Sequence, residues 1–190
     1  EQIVLSQHIG DLDTPEARRA FERAIDDLQR LYSFEPELVA CDLHPDYAST
    51  IWAHGSGLPV VAVQHHQAHV AACAAENGVS GRWLGVSWDG TGYGTDGTIW
   101  GGEFFRVEDG RFERFAHLRP FRLAGGEAAM RETWRPAASL CRDAGIPRYI
   151  PPTIERMLDQ GINAPLTSSV GRLFDAVAAL TGLAEENRFE

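Results

Sequence analysis

The stretch LVACDLHPDYASTIWAHGSGLPVVAVQHHQAHVAACAAE, residues 38–76, decides the fold class. Leu38-Val39-Ala40-Cys41 is a short apolar run that ends at Asp42-Leu43-His44-Pro45 and reads as a buried strand. Tyr47 to Gly55 has helical character and is stopped by Gly55 and Gly57. Val60-Val61-Ala62-Val63 is a second apolar run of strand length, and a helix from about His65 to Glu76 follows it. Strand, helix, strand, helix in succession implies a parallel sheet with crossover helices, an α/β domain.

Upstream, Thr14 and Pro15 make a helix start, the threonine as N-cap and the proline at the first helical position. Ala17, Phe21, Ala24, Ile25, Leu28 and Leu31 recur at helical spacing, so the helix is expected to reach about Tyr32. Downstream the pattern changes. Trp83–Asp89, Thr98–Val107 and Arg111–Leu118 read as three strands joined by glycine-rich turns, an antiparallel meander. Helices are expected again over Glu127–Arg135, after Pro136, over Ile154–Gln160 and over Ser168–Gly182. A mixed sheet with flanking helices accounts for this order.

Composition limits the chemistry. The 190 residues carry a net charge of −10, an acidic balance that argues against non-specific nucleic-acid binding. All seventeen basic residues are arginine. Without lysine there is no Walker P-loop, no kinase-type ATP site and no Schiff base, so any phosphate must be held by backbone amides, arginine or a metal. The three cysteines, Cys41, Cys73 and Cys141, are scattered and read as reduced core thiols of a cytoplasmic protein. No apolar run approaches the roughly 20 residues of a membrane span. The chain begins without methionine and stops without a tapering tail, which reads as a piece of something longer.

Three elements could carry chemistry. His65 and His69, four residues apart in HHQAH, share one helix face at the end of a strand, where open α/β folds place ligands. The spacing is that of a metal-binding pair; the alternative is a solvated or hydrogen-bonded helix start. The second element is Asp89-Gly90-Thr91-Gly92-Tyr93-Gly94. Its glycines can adopt positive φ and turn successive amides inward as an anion nest. Because strand-like residues follow, it is a hairpin and not a dinucleotide fingerprint; an ordinary tight-turn hairpin is the competing reading. The third is Asp175, off the apolar stripe of Val170, Leu173, Phe174, Val177 and Leu180 and close to the small residues Gly171 and Ala178, as a ligand such as a ribose would require. A solvent-facing aspartate is its alternative. Arg119, Arg122, Arg131 and Arg135 cluster in a glycine-containing stretch, where a solvated or salt-bridged face is the simpler reading.

Taken in order, SQHIGDLDTPEA (6–17), CDLHPDY (41–47), VQHHQAHVAAC (63–73), DGTGYGTDGTIWGGE (89–103), HLRPFRLAGGEAAMRETWR (117–135) and SSVGRLFDAVAALTGL (168–183) resemble the C-terminal, TsaD-like domain of the HypF carbamoyltransferases of nickel–iron hydrogenase maturation. That resemblance implies an actin-like (ASKHA) fold, incomplete at both ends, with a first lobe over about 1–120 and the start of a second over 121–190. It implies that His65, His69 and Asp89 hold a divalent metal, iron or zinc. It further implies that Asp89, Gly90, Thr91 and Gly92 meet phosphates and that Asp175 contacts a nucleotide. The reaction implied moves a carbamoyl group from carbamoyl-adenylate, made from carbamoyl phosphate and ATP, to the C-terminal cysteine of HypE.

The motif HHQAH departs from the commoner HHHAH but keeps both outer histidines. A later aspartate ligand, a second glycine-rich nucleotide loop and the remaining HypF modules would lie outside residues 1–190, so the piece is expected to be inactive alone. An O-carbamoyltransferase of the same superfamily, or a nucleotide-binding or docking module without chemistry, are the other readings.

Overall fold

The computed structural model describes residues 3–187. They form two compact units that divide between Val63 and Gln64.

In the first unit, α1 spans Pro15–Tyr32. Thr14 Oγ1 accepts the Ala17 amide at 3.2 Å, and Ser33, left-handed at φ 51°, ends the helix. β1 (Val39–Asp42) and β2 (Val60–Val63) pair in parallel, with α2 (Ala48–Gly55) as the crossover. The two strands were expected to be buried. Ala40, Val61 and Ala62 are instead exposed; the sheet formed by the described residues of this unit has only two strands, and Val61 and Ala62, on opposite faces of β2, are both open to solvent.

The second unit opens with α3 (His65–Glu76) and the meander of β3 (Trp83–Tyr93), β4 (Ile99–Glu108) and β5 (Arg111–His117). Two short strands escape the sequence pattern. β6 (Phe121–Arg122) pairs with β7 (Leu166–Thr167), and β7 joins the start of β4 in parallel at Ile99. Pairs this short carry no periodicity. Residue 120, where the first lobe was expected to end, lies in the connection between β5 and β6.

The helix expected over Glu127–Arg135 is broken into α4 (Glu127–Arg131) and α5 (Trp134–Asp143). The cause is tertiary. Residues 184–186 return to pair with the break: the Thr133 hydroxyl donates to Ala184 O at 2.8 Å, Glu132 bridges Glu186, and Glu132 is extended at ψ 94°. Pro136 sits in the first turn of α5, where its missing N–H costs nothing. α6 (Pro152–Gln160) and α7 (Val170–Thr181) complete the unit.

One core joins Val70, Trp100, Phe105 and Val107, so α3 is packed onto β4. A second joins Ala124, Ile154, Leu158 and Ala164. Glu103, on β4, is fully buried. Its carboxylate accepts the Gly101 and Gly102 amides at 3.0 Å each, the Ser168 hydroxyl and Arg114 Nε at 2.5 Å, which ties β4, β5 and β7 together.

Candidate metal centre

α3 starts at a defined point because the Gln64 side chain caps it, Oε1 accepting the Gln67 amide at 3.0 Å. With that start, His65 and His69 fall one turn apart, and their Nε2 atoms lie 3.1 Å from each other. Opposite them β3 carries a bulge. Trp88 pairs with Gly102 and Gly92 with Trp100, so Asp89, Gly90 and Thr91 together face the single residue Gly101. The bulge re-aims Asp89. Its Oδ1 accepts the Gly90 amide at 2.7 Å, which leaves Oδ2 toward the histidines. Oδ2 lies 3.0 Å from His65 Nε2 and 3.7 Å from His69 Nε2.

The ligand atoms of His65, His69 and Asp89 all lie within 4.8 Å of one another. Ligands about 2.1 Å from a tetrahedral metal are roughly 3.4 Å apart, close to the spacings here. Asp89 Oδ2 is buried and has no hydrogen-bond partner among the described residues, so it has lone pairs open to a cation. Two imidazoles and a carboxylate suit iron, zinc or manganese. The residues therefore fit a divalent metal. His69 is more than half exposed, so the site is open on one side. It borders a groove of about 430 Å³ lined by Cys73, Trp83, Val86 and Trp88 as well as His69 and Asp89. Cys73, expected in the core, is exposed in that groove; only Cys141 is buried among the three thiols.

The middle histidine differs from its neighbours. His66 is wholly buried, and burial lowers its pKa to about 4 against the opposing pull of Asp89.

The glycine run lacks the positive φ expected of it. Gly90, Gly92 and Gly94 all have negative or extended φ, and positive φ is confined to Gly97 at the hairpin tip, φ 76°. The Gly90 amide is turned onto its own neighbour's carboxylate. Packing explains the other two glycines. A Cβ on Gly92 would meet His66 Cε1 at 2.5 Å and His65 Cβ at 2.9 Å, and one on Gly94 would collide with the Trp100 indole.

Asp175 is not part of the three-ligand group. The apolar stripe expected to bury α7 is only partly inward: Val170 is buried and Leu173 half-buried, but Phe174, Val177 and Leu180 are exposed, while Arg172 and Ala176 are buried. Asp175 thus lies on the inner side, 3.0 Å from Arg172 Nη1, and burial raises its pKa although Arg172 opposes this. Gly171, read as making room for a ligand, instead makes room for backbone: its Cβ would lie 2.8 Å from Gly90 Cα. Arg172 was not singled out by sequence. Its Nη1 donates to Met130 O at 2.9 Å, and its guanidinium passes beside Gly90, linking Asp175 to the Asp89 bulge. An arginine three residues before an aspartate on a helix face was the available signal. At the α7 N-terminus, the Ser169 hydroxyl donates to Gly90 O and holds the bulge from behind. Of the arginine cluster, Arg122 binds Ala164 O and Arg135 binds Glu132, which makes both structural.

Residues 85–190 match the second subdomain of the carbamoyltransferase Kae1-like domain, and residues 1–76 match the HypF Kae1-like domain. The chain belongs to the HypF carbamoyltransferase family. Carbamoyltransferase HypF of Synechocystis sp. is 43% identical across the whole chain, which spans 28% of that relative. Carbamoyltransferase HypF of Rhizobium leguminosarum bv. viciae is 44% identical over 96% of the chain and 25% of the relative. Full-length HypF, crystallised in a phosphate- and nucleotide-bound form, superposes with a TM-score of 0.89 at 40% identity, over 96% of this chain and 26% of that one. HypF of T. kodakarensis superposes with a TM-score of 0.84 at 31% identity, over 97% of this chain and 28% of that one. The α/β fold with its mixed sheet is therefore that of HypF, and the chain spans about a quarter of the length of these HypF relatives.

Proposed function

We propose that this chain is the metal- and phosphate-facing part of a HypF carbamoyltransferase. The overall reaction would move the carbamoyl group of carbamoyl-adenylate, derived from carbamoyl phosphate and ATP, to the C-terminal cysteine of HypE during hydrogenase maturation. The observation that carries this reading is the convergence of His65, His69 and Asp89 Oδ2 at the β3 bulge. His65 and His69 supply imidazole nitrogens, and Asp89 supplies one carboxylate oxygen. A divalent iron or zinc held there would polarise the carbamoyl carbonyl as a Lewis acid.

The chain's own residues orient and enclose. Gln64 and the α3 cap set the two imidazoles; Gly90, Thr91 and Gly92 carry the backbone next to the phosphates; Asp175, held by Arg172, serves the nucleotide. The neighbouring groove offers Trp83, Val86 and Trp88 as apolar walls beside the site. We assign the lobe boundary near residue 120 to the longer parent, whose other HypF domains form the carbamoyl-adenylate.

Titration calorimetry with ATP and with a HypE C-terminal peptide, with and without zinc, tests the assignment. Metal-dependent nucleotide binding is expected. Peptide binding indifferent to metal and nucleotide would make the chain a docking module. Carbamoyl transfer by the 190-residue chain alone would refute the expectation that the remaining domains are needed.

A further inference from the structure

HHQAH offers three imidazoles, and nothing in the motif says what the middle one does. The hydrogen bonds around it decide the question. The Gln67 amide can only donate, so the Gln64 atom 3.0 Å from it is the oxygen. The carbonyl of Tyr93 can only accept, so the Gln64 atom 3.1 Å from it is the nitrogen. Both ends of the Gln64 amide are thereby assigned by partners of fixed polarity. The second N–H of that NH₂ group meets His66 Nδ1 at 3.1 Å. Nδ1 must then accept. A neutral imidazole with a bare Nδ1 carries its proton on Nε2.

That Nε2 is buried without a hydrogen-bond partner and lies 3.5 Å from Asp89 Oδ2, itself buried and without one. Two orphaned atoms, one a donor and one an acceptor, face each other and need close by only a few tenths of an ångström. The ring is fully buried and cannot swing away. Gly92 keeps its place open, since a Cβ there would strike His66 Cε1 and Nδ1 at 2.5 and 3.0 Å.

We infer that His66 is a positioning residue, held by Gln64 as the Nε2–H tautomer, that aims the Asp89 carboxylate and does not itself ligate the metal. This rests on the metal reading given under Proposed function. Its logic is that of an outer-shell hydrogen bond, which orients a ligand and tunes its basicity. It also explains why three consecutive-looking histidines supply two ligands: the protonated nitrogen of the third has no lone pair to give.

The test begins with the metal-free chain labelled with ¹⁵N-histidine. Long-range proton–nitrogen correlation is expected to show His66 with a protonated Nε2 and a bare Nδ1; a protonated Nδ1 overturns the inference. On adding zinc, the ring nitrogens of His65 and His69 should shift while His66 keeps its Nε2 proton, and loss of that proton overturns it. Gln64→Glu keeps the cap oxygen but turns an acceptor toward Nδ1, which calls for a proton there and, in the neutral ring, leaves Nε2 bare. This variant, shown folded by circular dichroism, is expected to bind zinc about 10- to 100-fold more weakly. Unchanged or tighter binding would make His66 a core residue only, or a ligand. A wild-type chain that binds no zinc would sink the metal reading while leaving the tautomer to be judged by the first measurement.

Discussion

Gly171 approaches Gly90 so closely that a methyl group on it would come within 2.8 Å of the Gly90 Cα. The helix α7 is thus seated directly on the bulge that presents Asp89, and the seat tolerates no side chain. Gly171→Ala should lower stability by about 1–3 kcal/mol through overpacking. It should also weaken zinc binding, because the bulge must move. Gly55, with open space around its Cβ position at the end of α2, is the control. Gly55→Ala, at a helical position with room for a methyl group, should not lower the denaturant midpoint and should leave zinc affinity unchanged.

The three proposed ligands should contribute separately. His65→Ala, His69→Ala and Asp89→Ala are each expected to reduce zinc affinity at least tenfold, measured by competition with a chromogenic chelator. His117→Ala, whose ring is exposed and bound to Leu118 O, should have no effect. Equal affinities across the set would remove the metal centre.

Glu103 predicts an acid sensitivity. A glutamate in the unfolded chain titrates near 4.5. Burial alone would raise that value in the folded state, but the bonds from Arg114, Ser168 and the Gly101 and Gly102 amides outweigh it and hold the carboxyl lower. The unfolded chain therefore takes up the proton first as pH falls. The contribution is complete above the unfolded value and is lost as pH drops through the folded one. Urea midpoints from pH 7 to pH 3 should fall for the wild type and fall less for Glu103→Gln. At pH 7 that variant should cost about 1.5–3 kcal/mol, the scale of hydrogen bonds to a charged group.

Phe174 tests the inverted face of α7. It is 62% exposed, whereas Ala176 two residues on is fully buried. Phe174→Ser should change the stability of this chain by no more than about 0.5 kcal/mol. Ala176→Leu, which forces a larger group into a filled site, should cost about 1–3 kcal/mol. Urea unfolding of the two variants side by side decides it; a large loss in Phe174→Ser would return the outer stripe to the core.

The reading from residues alone succeeded where the signal is local. The Thr14–Pro15 start, the β1–α2–β2–α3 alternation and the meander over 83–118 follow from capping chemistry, short apolar runs and turn residues close by in the chain. It failed where a distant segment intervenes. β6 and β7 are two residues each and exist only because β7 reaches the start of β4. The break at Glu132–Thr133 needs the return of residues 184–186.

The spacing of His65 and His69 alone determined that two imidazoles share a face, since one helical turn is a property of the backbone. Tertiary structure decided what they face. A bulge in β3, visible only once β4 is paired, turned Asp89 Oδ2 toward them. Packing against Trp100 and His66, not positive φ, accounted for the glycines. The orientation of α7 likewise goes with contacts to distant segments, the bond from Arg172 to Met130 O and the close seat of Gly171 on Gly90, which its apolar stripe does not reveal. Helical and strand periods are written in neighbouring residues, but which face meets which neighbour depends on contacts between residues tens of positions apart.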